Sequence, residues 1–112
     1  MPLGCASNSW LSALENKLTL GGLREHFTVL EASDTVERPK PAPDMYAAAA
    51  RALGAPPAQT LALEDSGTGA RSARDAGLRL IVVPTAGHET PSADLAVASL
   101  TDPELAAWIA TW

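Results

Sequence analysis

Two adjacent carboxylates, Glu64 and Asp65, directly follow an apolar stretch of the chain. Bringing two carboxylates together at the end of a buried strand is costly unless a cation neutralises them. Oxygen ligands of this kind suit Mg²⁺, which keeps several waters and takes one or two carboxylates together with a substrate phosphate. The alternative is that Asp65 caps the following helix while Glu64 is solvated. By itself, the pair leaves both interpretations open.

A second group that could do chemistry is Lys40, which stands in the proline-rich segment Pro39-Lys40-Pro41-Ala42-Pro43. Each proline fixes its own backbone and restricts the residue before it, so this segment can aim one ammonium with little ordering entropy to lose. Such an ammonium could meet phosphate oxygens or an attacking carboxylate. The alternative is an ordinary solvated lysine in a loop.

Ser7 and Asn8 form a third candidate, between an apolar run and a helical stretch. They offer a hydroxyl, an amide and the backbone N–H groups of a helix start, all of which suit an anion. The alternative is that these side chains only cap the helix that follows.

The elements that would position these groups are short apolar runs alternating with helical stretches. Strands are predicted over 3–6, 28–31, 60–63, 80–83 and 94–97, and helices over 10–20, 43–53, 68–76 and from about 102. This alternation indicates an α/β fold, with a parallel sheet covered by helices on both faces. Ligands bind beyond the carboxyl ends of such strands, so we expect all the candidate residues to converge on one rim.

Composition limits the classes of protein to consider. A length of 112 residues indicates at most one domain, covering 1–112, and a net charge of −5 argues against a nucleic-acid partner. No apolar run approaches the roughly 20 residues that span a bilayer, and the start does not resemble a secretory leader. The single cysteine, Cys5, cannot form an internal disulfide, so we expect a cytoplasmic protein. His26 and His88 receive no role, and the three tryptophans (Trp10, Trp108 and Trp112) are expected to pack rather than bind.

In their order along the chain, the three signals resemble the haloacid dehalogenase superfamily, in particular its phosphatase and β-phosphoglucomutase-like subfamily. Cys5-Ala6-Ser7-Asn8-Ser9 is similar to the second motif of that family, and Lys40-Pro41-Ala42-Pro43-Asp44 to the third. Glu64-Asp65-Ser66-x-x-Gly69, followed by Ala73-x-x-Ala76-Gly77, is similar to the fourth, metal-binding motif. The resemblance runs from Leu3 to about Val97 and implies a three-layer, Rossmann-like core.

The resemblance also implies a role for each candidate residue. Ser7 would hydrogen-bond the transferring phosphoryl group, and Asn8 would line the same pocket. Lys40 would be the catalytic cation that offsets charge on the phosphoryl oxygens, while Glu64 and Asp65 would hold Mg²⁺. The implied reaction is phosphoryl transfer on a small phosphorylated metabolite, as in a phosphatase or phosphomutase.

One part of the family pattern has no counterpart here. The first motif, an Asp-x-Asp pair that provides the attacking carboxylate, is absent from all 112 residues, and so is a cap domain. The chain therefore resembles the C-terminal part of a family member, beginning at about the second core strand. It is expected to be inactive alone, or to be a degenerate domain that binds a phosphorylated ligand or a protein.

The lost strand would be central, between the strand that ends at Ser7 and the strand that ends at Glu64. We therefore expect an incomplete sheet with two facing, unpaired edges, which are prone to association. Either the halves close on each other, or another segment or chain fills the gap, as in a homodimer.

Overall fold

The structure, a computed structural model, describes residues 1–84 and 91–111 as short strands alternating with helices. Short 3-10 turns at Arg24–His26 and Pro57–Gln59 join some of these elements. Each predicted strand and helix is present, with bounds within one residue of those expected, which confirms the α/β fold class. The elements are β1 (Gly4–Ala6), α1 (Leu11–Leu20), β2 (Val29–Glu31), α2 (Asp44–Leu53), β3 (Leu61–Glu64), α3 (Gly67–Asp75), β4 (Arg79–Val82), β5 (Leu95–Ala96) and α4 (Pro103–Ile109).

The strands form two separate parallel sheets. β1 pairs with β2, with Ala6 opposite Glu31. β4 lies between β3 and β5 in the second sheet, with Glu64 opposite Val82. Within the described part of the chain, no hydrogen-bonded ladder joins β1 to β3. This agrees with the expected incomplete sheet, in which these two strands present unpaired edges.

The larger sheet carries the core on both of its faces, because successive side chains of β4 point in opposite directions. Ile81 packs with Val97 and Leu105, which places α4 on one face. Leu80 and Val82 belong to the cluster on the other face, against α2 and α3. The other buried members of that cluster are Tyr46, Ala50, Ala62, Ala70, Ala73 and Leu78. Helices therefore cover both faces, as the alternation of strands and helices predicted.

Helix ends are set by local chemistry. α2 is rich in alanine, the best helix former, and it ends at Gly54, whose φ of 76° is the left-handed conformation that glycine adopts easily. α3 begins at Ser66, whose Oγ accepts a hydrogen bond from the Gly69 N–H at 3.1 Å. The start of α2 helps to set the position of Lys40, which precedes it. The start of α3 does the same for Glu64.

One packing expectation is wrong. Trp10 is the N-cap residue of α1 and is 72% exposed, whereas the buried residue of that helix is Leu14, one turn further on. Trp108 packs against the Ile81 cluster, as expected. His88 and Trp112 lie outside the described residues. Among the helices that are described, none has the length and apolar character needed to cross a bilayer.

Candidate phosphate- and metal-binding site

A cavity of about 700 Å³ lies where β1 and β3 end. It is lined by all five residues that the sequence singled out: Ser7, Asn8, Lys40, Glu64 and Asp65. The other lining residues are Ala6, Leu63, Ser66, Thr68, Gly69, Val83 and Leu100. The convergence follows from the topology, since parallel strands place their carboxyl ends at one edge.

The Lys40 ammonium bridges the two sheets. Its Nζ donates to the backbone oxygen of Ala6, the last residue of β1, at 2.9 Å. It also donates to Oε2 of Glu64, the last residue of β3, at 2.6 Å. The two charged side chains are 10% and 8% exposed, so solvent screens their attraction little. Removing either partner would leave a buried charge without compensation.

The side chain of Asn8 holds the backbone of Lys40. Its Oδ1 accepts from the Lys40 N–H at 2.9 Å, and its Nδ2 donates to the Lys40 carbonyl at 3.1 Å. Asn8 does line the cavity, as the resemblance implied, but its amide bonds the proline-rich segment. It therefore fixes the point from which the lysine side chain starts.

Ser7 retains a hydroxyl that can bind an anion. Its Oγ accepts from the Ser9 N–H at 3.1 Å, which leaves the hydroxyl proton for another acceptor. The first N–H of α1, on Leu11, is bound instead by Asp34 Oδ1 at 2.8 Å. The interpretation of Ser7 and Asn8 as simple helix caps is therefore wrong.

The Glu64 carboxylate is enclosed on several sides. The Tyr46 hydroxyl donates to its Oε2 through a short hydrogen bond, in addition to the bond from Lys40. The ammonium of Lys40 also lies 4.9 Å from the centre of the Tyr46 ring, in cation–π contact. A Cβ atom at Gly69 would collide with Oε1 of Glu64, so the carboxylate occupies space that any other side chain would fill.

Asp65 lies exposed on the rim of the cavity. The N-terminus of α3 is capped by Ser66 and not by Asp65, so the capping interpretation of this aspartate is also wrong. Asp65 thus belongs to the lining of the cavity and not to the cap of the helix.

The two carboxylates fit Mg²⁺ in part. The described residues contain no group of three or more His, Cys, Asp or Glu side chains placed to hold a metal ion. Glu64 and Asp65 nevertheless supply hard oxygen ligands at one cavity, and Mg²⁺ commonly takes one or two carboxylates and fills its other positions with water and phosphate. The chain thus offers two ligands of the correct chemistry.

Two other ionisable groups, which do not line the cavity but lie near Lys40 and Glu64, are held in their neutral forms. Burial, reinforced by the Glu64 carboxylate, raises the pKa of the Tyr46 hydroxyl far above its ordinary value, so it remains a donor. Burial likewise raises the pKa of the Cys5 thiol, and nearby Lys40 opposes this in part. Cys5 is therefore a poor nucleophile. Tyr46 was not foreseen as a site residue, because its sequence context indicates a core position on a helix.

The chain matches the sequence family described as "Haloacid dehalogenase-like hydrolase" over residues 1–83. It is 38% identical to the bifunctional riboflavin kinase/FMN phosphatase of Arabidopsis thaliana, over 96% of this chain and 30% of that protein.

The chain is also similar to solved structures. The structure of CbbY from Rhodobacter sphaeroides in complex with phosphate is 40% identical with a TM-score of 0.81, covering 88% of this chain and 47% of that one. A hydrolase from Deinococcus radiodurans with bound phosphate and sodium is 32% identical with a TM-score of 0.84, covering 99% and 52%. The chain thus spans about a third of the curated relative and about half of each solved chain.

Proposed function

Because this chain belongs to the haloacid dehalogenase-like hydrolase family, we propose that it forms the phosphate- and Mg²⁺-binding half of a phosphoryl-transfer site. The observation that supports this best is the convergence of Ser7, Lys40, Glu64 and Asp65 on one cavity. The proposed ligand is a small phosphorylated metabolite. The names of the relatives agree with that class, since they include an FMN phosphatase, a hexitol phosphatase and a CbbY structure with xylulose-1,5-bisphosphate.

Each of these side chains then has a defined role in binding phosphate or Mg²⁺. The Ser7 hydroxyl proton and the Lys40 ammonium bind phosphoryl oxygens. Two of the three N–H groups of that ammonium are used by Ala6 and Glu64, so one is left for the ligand. Glu64 and Asp65 would hold Mg²⁺, which supplies positive charge next to the phosphoryl group.

We expect negligible turnover from this chain by itself. The 112 residues contain no Asp-x-Asp pair. Among the residues that the structure describes, the carboxylates lining the cavity are those assigned to the metal, and the Cys5 thiol is held protonated. A site of this composition can position and stabilise a phosphoryl group, but it provides no carboxylate to attack phosphorus. We keep the cytoplasm as the proposed location, on the basis of the single, unpaired cysteine.

Amide NMR spectra recorded during titration with inorganic phosphate test the proposal. Phosphate is expected to shift the signals of Ser7 and Lys40 more strongly with Mg²⁺ present, and Asp65→Asn should remove the effect of the metal. Asp75→Asn is the matched control, since Asp75 lies on the exposed side of α3 and pairs with Arg71. Absence of phosphate-induced shifts in the cavity would contradict the proposal.

The inactivity is tested separately, by hydrolysis of an aryl phosphate with Mg²⁺. The expected rate equals that of the buffer. Robust hydrolysis that disappears in Asp65→Asn would show that an attacking group is present after all.

The edges of β1 and β3 that no described strand pairs support a second candidate, a binding module that associates with its own copy. Ser7 N–H and the Leu3 carbonyl bond β2, so the backbone groups of Gly4 and Ala6 point to the opposite side, towards the gap. A strand from a second copy could pair with that edge, giving a homodimer. Sedimentation velocity tests this candidate, and a monomer at all micromolar concentrations would exclude it.

A further inference from the structure

Tyr46, the single tyrosine of the chain, has its ring and its hydroxyl in different environments. The residue lies in the first turns of α2, is 9% exposed, and belongs to the apolar cluster that includes Leu80 and Val82. A buried tyrosine needs a partner for its hydroxyl. Here that partner is Oε2 of Glu64, at the floor of the cavity. The core of the protein is thus connected directly to a carboxylate of the proposed metal site.

Three neighbours restrict where the Glu64 carboxylate can lie. Tyr46 and Lys40 both donate to the same oxygen, Oε2. A Cβ atom at Gly69 would collide with the carboxyl carbon of Glu64, so the group is seated against the backbone of α3. The side chain is 8% exposed, and solvent therefore offers little alternative hydrogen bonding.

We propose that Tyr46 is a positioning residue, whose hydroxyl holds Glu64 in a single rotamer suited to a divalent cation. The cation part of this inference rests on the proposed function. The two donors use the two lone pairs of Oε2, which leaves those of Oε1 for a cation shared with Asp65. Without the hydroxyl, Lys40 alone would hold the carboxylate, and a single flexible ammonium allows more than one orientation.

Tyr46→Phe is the informative variant, because it keeps the buried ring and its contact with Lys40 and removes only the hydroxyl. Thr60→Val is the matched control. It also deletes one hydroxyl hydrogen bond, from Thr60 Oγ1 to the Pro56 carbonyl at 3.0 Å, just before the opposite end of β3. A loss of stability common to both variants therefore says nothing about Glu64.

Two measurements on the whole chain decide the proposal. In metal-free solution, three-bond NMR couplings of Glu64 are expected to report one χ1 rotamer in the unmodified chain and in Thr60→Val, but an average of rotamers in Tyr46→Phe. In a Mg²⁺ titration followed by the Asp65 and Ser66 amides, Tyr46→Phe is expected to bind about tenfold more weakly, the usual effect of losing a partner of a metal ligand.

Each outcome has a defined meaning. Unchanged Glu64 couplings in Tyr46→Phe, equal averaging in Thr60→Val, or averaging without any loss of Mg²⁺ affinity would each overturn the positioning role. If the unmodified chain shows no response to Mg²⁺, the metal site of the proposed function fails. The couplings measured without metal still decide whether Tyr46 orients Glu64.

Discussion

The two sheets of this protein end at the same cavity but are held together in different ways. The larger sheet contains β4, three of whose four residues are buried, and helices cover both of its faces. The smaller sheet consists of two strands of three residues each, and none of those residues is fully buried. The larger sheet contributes the carboxylates, whereas the smaller one contributes Ser7 and Asn8.

This contrast shows what places the smaller sheet. Its strands are less buried than β4, so we expect the polar connections at the cavity to contribute to its position beside its packing against α2. The connections at the cavity run through one segment: Asn8 holds the Lys40 backbone, and the Lys40 ammonium joins Ala6 to Glu64. Substitutions at these points should therefore reduce the free energy of unfolding by different amounts, and the order of these losses tests how the two sheets are connected.

The largest effect is expected from Lys40→Met. The variant removes the bridge and leaves the Glu64 carboxylate buried without a cation, so the free energy of unfolding should fall by about 3 kcal/mol. Urea denaturation measures it. Lys17→Met, which removes the other lysine, is the control, because Lys17 is exposed and makes one bond to Ser9 Oγ. Similar losses in both variants would mean that the buried bridge contributes no more to the free energy of unfolding than the exposed bond of Lys17.

Gly69→Ala tests the connection from the side of the larger sheet, at Glu64. The new methyl group would displace the Glu64 carboxylate from its two donors, and we expect a loss of about 2 kcal/mol despite the better helix propensity of alanine. Gly67→Ala, two residues earlier in the same helix, meets no atom within 4 Å and should be neutral or slightly stabilising. Thermal and urea unfolding of the pair give the comparison. A stabilising Gly69→Ala would show that Glu64 can move at no cost.

Asn8→Ala tests the connection from the smaller sheet. Two hydrogen bonds to the Lys40 backbone are lost at a partly solvated position, so the expected loss of stability is about 1 kcal/mol. Phosphate affinity should fall as well, because the start of the lysine side chain is no longer fixed. Asn16→Ala, on the exposed side of α1, is the control for both measurements. Equal phosphate affinity in the two variants would contradict the assigned role of Asn8.

The smallest effect concerns Cys5 in β1 and is a dependence on pH. Because burial raises the pKa of this thiol, the unfolded chain ionises first, near the ordinary thiol pKa of about 8.5. The stabilising contribution is complete below that pH and is lost as pH rises towards the pKa of the folded state. Urea unfolding at pH 7.5 and 9.5 should therefore show a steeper decline for the unmodified chain than for Cys5→Ala. Parallel declines would mean that the smaller sheet does not bury this thiol in solution.

Much of the fold and the position of the site could be predicted from the sequence. The β-branched run of β4 and the glycines that end the helices are local signals. The positions of Ser7, Lys40 and Glu64 after predicted parallel strands predicted their convergence. These features depend on neighbouring residues or on the general geometry of parallel sheets.

The remaining features depend on contacts between distant segments. Tyr46 meets Glu64 across 18 positions, and Asn8 meets Lys40 across 32, so no local pattern marks either contact. Gly69 is part of the fourth motif, but the motif does not show that the Glu64 carboxylate is seated against it. The exposure of Trp10 was missed for a related reason, since the sequence does not show that α1 leaves the indole uncovered.

The burial of Lys40 has a practical consequence for chemical footprinting. The chain has two lysines, one exposed and one enclosed by Tyr46, Glu64 and the end of β1. An amine-acylating reagent should therefore modify Lys17 rapidly and Lys40 slowly, and mass spectrometry can resolve the two sites. The rate at Lys17 then serves as an internal reference. The ratio of the two rates reports whether the bonds of Lys40 that connect the sheets are formed or broken.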